Sequence, residues 1–227
     1  FVSALVVLCL LVVLVLAAVW ALLRSDTGTA WLIDRIPGLE TEQASGSLLG
    51  EWQAQRIEWR GYGVAVVVRD PAVAWSPGCL FRKSLCLDRL HSGAIRVEVQ
   101  PSTEEASARA DELELPDIHL PLEVVLADVQ LGSLTVNGAQ VWDRLTASAR
   151  GSGADMTLER ASYRLDDVQV TAEGRVTMRR DWPLNADVAV SLPPPSGEHW
   201  QISANLAGSV RDLNVSGRSN GYLNARF

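Results

Sequence analysis

From Ile57 to Leu206 the chain repeatedly alternates apolar and polar residues with a period of two, and that pattern restricts it to sheet architectures. Ile57 and Trp59 alternate with Glu58 and Arg60, and Val64, Val66 and Val68 follow the Gly61-Tyr62-Gly63 turn. Ile95, Val97 and Val99 alternate with Arg96, Glu98 and Gln100. The clearest run sets Leu184, Ala186, Val188, Val190 and Leu192 against Asn185, Asp187, Ala189 and Ser191. Tyr163 and Leu165, Val168 and Val170, then Trp200, Ile202, Ala204 and Leu206 obey the same rule. Successive side chains on a strand point to opposite faces, so each run reads as a strand with one apolar and one polar face. Asp70-Pro71, Ser76-Pro77-Gly78, Asn137-Gly138, Gly151-Ser152-Gly153 and Pro193 to Gly197 punctuate the runs as turns.

An apolar sheet face must be covered by helices, by another sheet, or by something external. Residues 49–227 contain no long amphipathic helix pattern, so helical cover is excluded. A closed sandwich or barrel packed by its own side chains remains, and so does an open trough whose apolar inside is left to a ligand. Alternation alone does not separate the two. A weak repeat relates Leu131-Gly-Ser-Leu134-Thr-Val136 to Leu165-Asp-Asp-Val168-Gln-Val170 and to Val210-Arg-Asp-Leu213-Asn-Val215, at unequal spacing. It suggests stacked β-hairpin units with variable loops. The acidic, Ala-rich stretch from Ser102 to Glu114 reads as a short helix or a linker.

The N-terminus is of another kind. Residues Phe1 to Leu23 carry no charge, so every acidic and basic side chain lies after them. Twenty-three helical residues rise about 35 Å, enough for a hydrocarbon core of about 30 Å. Trp20 sits where an indole favours the headgroup level, and Arg24 and Asp26 close the run. An uncleaved transmembrane anchor over 1–23 fits this run. A cleaved signal peptide competes, with Val15-Leu16-Ala17 as a weak cleavage site, but the apolar run exceeds the usual core of about 7–15 residues. Residues 24–48 read as a membrane-proximal segment in which Trp31, Leu32, Arg35 and Ile36 share helical spacing before Pro37-Gly38. The chain starts at Phe1 and its last segment continues the strand pattern, as expected of a fragment of something longer.

Cys9 falls in the apolar run, whereas Cys79 and Cys86 are separated by Leu-Phe-Arg-Lys-Ser-Leu. Six intervening residues suit a hairpin-closing disulfide, which implies an oxidising compartment such as the periplasm; two unrelated thiols are the alternative. The net charge of −7, with arginines scattered, speaks against nucleic-acid binding. His91, His119 and His199 lie far apart with no ligand spacing, and Glu104-Glu105, Asp111-Glu112 and Asp166-Asp167 have no acid–base partner. No nucleophile elbow or phosphate loop occurs. No catalytic, cofactor or metal site is expected, and an enzyme is not.

One block is more distinctive. Gly46-Ser-Leu-Leu-Gly50, Ile57-Glu-Trp59, Gly61-Tyr-Gly-Val64, Asp70-Pro-Ala-Val-Ala-Trp75, Cys79-Leu80, Leu85-Cys-Leu-Asp-Arg-Leu90 and Ile95-Arg-Val97 follow the apolar run in that order. Over roughly residues 1–100 the order resembles the TamB family, the inner-membrane subunits of the translocation and assembly module of Gram-negative bacteria. That family belongs with the AsmA-like proteins, which are similar to bridge-like lipid transfer proteins.

The resemblance implies a mainly β fold: a transmembrane helix, a short amphipathic helix, then an antiparallel open groove over 49–227. It implies a single-pass inner-membrane protein with a periplasmic body. Its implied partners are phospholipids and an outer-membrane Omp85-class protein (TamA), the latter met by a region beyond this sequence. The implied activity is conduction of phospholipids toward the outer membrane. A scaffold for assembling outer-membrane β-barrel proteins and autotransporters is the alternative, and a passive tether is a third. Candidate groove-lining residues are Val64, Val66 and Val68 with Ile95, Val97 and Val99; Val168 and Val170; Leu184, Ala186, Val188, Val190 and Leu192; and Ile202, Ala204 and Leu206.

Overall fold

The computed structural model describes residues 10–15, 19–21, 24–47, 49–99, 115–193 and 199–227. The alternating apolar runs become one sheet. Its strands are β1 (Leu39–Glu42), β2 (Ser45–Gly46), β3 (Glu51–Gln53), β4 (Arg56–Gly61), β5 (Val64–Arg69), β6 (Ala72–Ser76), β7 (Ser84–Val99) and β8 (Leu120–Val136). They continue as β9 (Ala139–Trp142), β10 (Arg144–Gly153), β11 (Asp155–Leu165), β12 (Val168–Thr177), β13 (Pro183–Leu192), β14 (Trp200–Ser209), β15 (Leu213–Asn220) and β16 (Ala225–Arg226). The main path runs β1-β4-β5-β7-β8-β10-β11-β12-β13-β14-β15-β16, and it does not close. Every described pairing is antiparallel except β7 with β8, which is parallel. The sheet starts before residue 49, since β1 and β2 belong to it. The Ser102–Glu114 stretch and Cys9 lie outside the described residues.

The first strands are broken in two. β2 and β1, β3 and β4, and β6 and β5 form three end-to-end pairs laid in turn beside β7. All three breaks fall at one level, at Gln43-Ala44, Ala54-Gln55 and Asp70-Pro71, where Gln43 and Asp70 adopt left-handed backbone with φ of 49° and 47°. Backbone bonds stitch the breaks together, from Gln55 N–H to the Glu42 carbonyl and from Asp70 N–H to the Gln55 carbonyl, both near 3 Å. The same level meets Gly93 in β7 and Gly132 in β8, which are register neighbours. A Cβ on Gly132 would collide with the Gly93 carbonyl oxygen. The sheet therefore carries a crease, and β1, β4, β5, β9 and the ends of β7 and β8 form a small flap on one side of it.

The helix Asp26–Ile33 is capped by the Ser25 hydroxyl, which accepts from Gly28 N–H at 3.0 Å. It begins and ends earlier than the Trp31, Leu32, Arg35, Ile36 spacing suggests. Its buried residues are Gly28, Thr29 and Ile33, while Trp31 and Ile36 are half exposed at 50% and 48%. The Arg35 guanidinium lies 4.4 Å from the Trp31 ring centre. No single described helix is long and apolar enough to cross a membrane; Leu10–Ala21 and Asp26–Ile33 reach that length only together, bent by 86°.

The repeated phrase does not mark equivalent positions. Leu134 and Val136 end β8, Val168 and Val170 begin β12 after one hairpin turn, and Leu213 and Val215 begin β15 after a turn at the opposite end. The structural unit is the hairpin, and the phrase recurs because alternation recurs.

Candidate functional site

Registers, rather than any cavity, assemble the candidate site. Pairings from β7 through β8, β10, β11, β12, β13 and β14 to β15 stack side chains into rows. One row runs Leu85, Val124, Gly151, Met156, Val176, Leu184, Gly208, Leu213. The next runs Leu87, Leu126, Ala149, Leu158, Gly174, Ala186, Leu206, Val215. A third is Leu90, Val129, Ala147, Ala161, Ala172, Val188, Ala204, Gly217. The fourth is Ser92, Leu131, Leu145, Tyr163, Val170, Val190, Ile202, Ser219. Eight strands at about 4.8 Å make each row roughly 34 Å long.

These rows are sheltered but not packed. Along β13, Leu184, Ala186, Val188, Val190 and Leu192 are half-buried, and Asn185, Asp187 and Ala189 between them are exposed. Of all apolar side chains in the four rows, Val129 alone is buried. The buried apolar residues elsewhere are Ile33, Ala54, Ala74, Cys79, Ala154 and Met178, which lie at the end of the helix, at the crease, within β6, in the β6–β7 connection and at hairpin ends. The chain exposes 15964 Å², about 1.6 times the ~10,100 Å² expected of a compact chain of its mass. Among the described residues nothing covers the apolar face. Two aromatic side chains on it are satisfied locally: the Tyr163 hydroxyl donates to the Val141 carbonyl at 2.7 Å, and Trp200 Nε1 donates to Ser219 Oγ at 2.7 Å.

The candidate lining residues fall into two sets. Val168 sits at the head of β12, opposite Leu165. Val170, the β13 residues and Ile202, Ala204 and Leu206 belong to neighbouring rows of the large sheet. Val64, Val66 and Val68 pair with Val99, Val97 and Ile95, but these rows stay in the flap, ending through Val136 and Leu134. Crossing the crease, the apolar positions change parity: Val66 and Val73, Leu90 and Val97, and Val129 and Val136 stand seven apart in their strands. Sequence reasoning missed Leu85, Leu87 and Leu90, and most of β8, β10 and β11. Bulges explain the β8 and β11 losses, since the register skips from Leu126 to Val129 and from Leu158 to Ala161 and breaks the period of two.

The largest described cavity, about 760 Å³, is not on this face. Arg160, Thr171, Glu173, Asp187, Asn205 and Arg218 line it, and the third apolar row borders it through Ala161, Ala172, Val188, Ala204 and Gly217, whereas Val170, Gly174, Val190 and Ile202 of the flanking rows do not. It is a hollow among solvated side chains of the polar face. There Asn205 Nδ2 donates to Asp187 Oδ1 at 3.0 Å.

Cys79 and Cys86 form a disulfide with Cα atoms 6.0 Å apart, closing the β6–β7 connection. His91 Nε2 lies 2.8 Å from Asp128 Oδ2 across β7 and β8. Hydrogen bonds from Gln130 and His91, together with nearby positive charge, hold the Asp128 carboxyl below its ordinary range. His119 and His199 join no such pair among the ion pairs described. Among the described residues no cluster of His, Cys, Asp and Glu is placed to hold a metal.

A family model described as TamB, N-terminal domain, matches residues 14–114 and 110–227. No curated protein and no solved structure matches the chain.

Proposed function

Since the chain belongs to the TamB N-terminal domain family, we propose that it is the membrane-proximal part of a lipid conduit, anchored by residues 1–23 in an inner membrane. Residues 24–48 connect the anchor to a periplasmic groove over 49–227. The single observation that carries this reading is the set of apolar rows from β7 to β15 left half exposed with no protein layer over them. Burying an acyl chain gains about 0.8 kcal/mol per methylene, so a continuous apolar surface holds lipid without headgroup contacts. The rows exceed the roughly 15 Å depth of one leaflet's hydrocarbon. In this reading phospholipid is cargo, and the outer-membrane Omp85-class partner is met elsewhere in the longer protein. No residue acts as a catalyst.

A photo-crosslinking residue at Val188 or Val190 tests the proposal. Capture of phospholipid in cells is expected, with much weaker capture at Asp187 or Ala189 on the polar face. Equal capture on both faces, or none, overturns it. A second reading is favoured by the start of β15, which β16 leaves free because it pairs only with the strand's end, at Arg218 and Ser219; there Leu213 and Val215 are 42% and 43% exposed. A strand of an unfolded outer-membrane protein added at that edge would use backbone hydrogen bonds. Crosslinks to such clients concentrated at β15, with no lipid at Val188, would favour the scaffold.

A further inference from the structure

Among the described connections, the one between β6 and β7 alone combines a 3-10 turn with a disulfide. It is a 3-10 turn, Pro77–Arg82, ending at Lys83 in left-handed backbone with φ of 58°. Lys83 N–H donates to the Leu80 carbonyl, and the Cys79–Cys86 bond ties the turn to β7. At its tip Phe81 is 92% exposed and Leu80 45% exposed. A braced loop displays these apolar groups and prevents them from folding back. Phe81 is one of three phenylalanines in the sequence, and Lys83 is its only lysine.

Charge and position say what the tip meets. Arg82 and Lys83 adjoin Phe81, and among the described residues neither pairs with a carboxylate; the nearby Glu123 carboxylate is taken by Ser84 Oγ at 2.8 Å. Two cations with no carboxylate partner among the described residues, Arg82 held only by donating Nη2 to Cys79 Sγ at 3.5 Å, beside an exposed aromatic on a chain of net charge −7, fit an anionic lipid surface. The loop leaves β6, which is separated by β3 alone from β2, and β2 is the strand against which the helix Asp26–Ile33 rests. β6 thus lies two strand spacings, about 10 Å, from the strand that meets the helix continuing the apolar run. Trp31 on that helix and Ile36 just after it are half exposed, so apolar and cationic groups recur along one end of the sheet.

We propose that the disulfide-closed loop is a second membrane contact, in which Leu80 and Phe81 enter the interfacial layer of an anionic phospholipid bilayer and Arg82 and Lys83 meet its phosphates. The contact fixes the groove's first strands against the bilayer that holds the anchor. It rests on the anchored reading given above, and does not depend on lipid passage along the groove.

The test uses the whole chain reconstituted in vesicles of phosphatidylcholine with phosphatidylglycerol and in vesicles of phosphatidylcholine alone. A benzophenone amino acid replaces Phe81 in one variant and Tyr222, an exposed aromatic at the far edge, in another. Phospholipid capture at position 81, none at 222, and slowed acylation of Lys83 in the anionic vesicles support the proposal. Arg82→Gln should lower capture at 81 roughly fivefold in the anionic vesicles, the factor one cation contributes at such a surface, and leave neutral vesicles unchanged. No capture at 81 from a chain that floats with the vesicles overturns it, as does equal capture at 81 and 222, or crosslinking of 81 to protein in place of lipid. A chain that fails to float removes the anchored reading and this contact together. Lipid at Val188 with none at 81 removes the contact and leaves the conduit standing.

Discussion

The N-terminal layer and the C-terminal meander share one alternating pattern but use it differently. In the first, from the helix through the β6–β7 connection, strands of two to six residues break at the crease, and Ile33, Ala54, Ala74 and Cys79 are buried. Ion pairs of Arg56 with Glu42 and Glu58, and of Arg60 with Glu58, reinforce β1 and β4. In the second, β10 to β14 run ten or eleven residues each, without breaks and without a buried side chain in β12, β13 or β14. Alternation therefore specifies a sheet and leaves open whether its apolar face becomes a core. Cover decides that: a helix, a crease and a disulfide supply it at one end, and nothing described supplies it at the other.

Aspartate substitutions expose the difference most sharply. Ala74→Asp places a charge at a buried position, and a loss of about 3–4 kcal/mol is expected. Val188→Asp places the same charge on a half-exposed row, and less than about 1 kcal/mol should follow, although it interrupts the apolar path and should abolish lipid capture at Val190. Urea midpoints combined with segment-resolved hydrogen exchange measure both. Equal losses at the two sites would mean that the meander is packed after all.

The crease itself is the next target. Gly132→Ala drives a methyl into the Gly93 carbonyl oxygen, and with backbone on both sides about 3 kcal/mol is expected. Gly138→Ala is the control: its φ is +82° but open space surrounds it, so only the left-handed penalty of about 1 kcal/mol applies. If both cost the same, close approach of β7 and β8 does not hold the flap.

Much of this was legible. The β5, β13 and β14 runs alternate cleanly and became strands, and the Cys79–Cys86 spacing became a disulfide. The crease was not legible, because Gln43 and Asp70 are ordinary polar residues until their neighbours force them left-handed. Nor was the parallel β7–β8 pairing, which depends on a crossover that carries no local signal. The rows through β8 and β11 were hidden by bulges, which shift the pattern by one residue without any change of composition. A short helix before Pro37 was legible, but not which residues it buries within the chain: Gly28, Thr29 and Ile33 are buried, while Trp31 is half exposed.

Reducing the disulfide separates the regions by a smaller amount. Closing a loop of this length contributes about 2.5 kcal/mol by restricting the unfolded chain. Cys79→Ser with Cys86→Ser should speed hydrogen exchange in β3, β6 and the start of β7 and leave β12 to β14 unchanged. A uniform rise across both regions would show that they unfold as one unit.

The smallest effect lies at the join between the two. Asp128 in β8 accepts from Gln130 Nε2 at 3.0 Å and meets His91 Nε2 at 2.8 Å, and these bonds lower its pKa from the ordinary 3.8. A depressed carboxylate contributes stability that is fully present above pH 3.8 and is lost as pH falls through the lower folded value. Its partly exposed position makes that contribution slight. Asp128→Asn should therefore flatten the acid limb of stability below pH 3.8 and leave the neutral plateau nearly unchanged. The exchange rates that respond should be those of β7 and β8, because His91 and Asp128 bridge these strands at the bulge between Leu126 and Val129, in which Asp128 sits. A response confined to β12 to β14 would place the acid-sensitive contact in the meander and undo the division between the two regions.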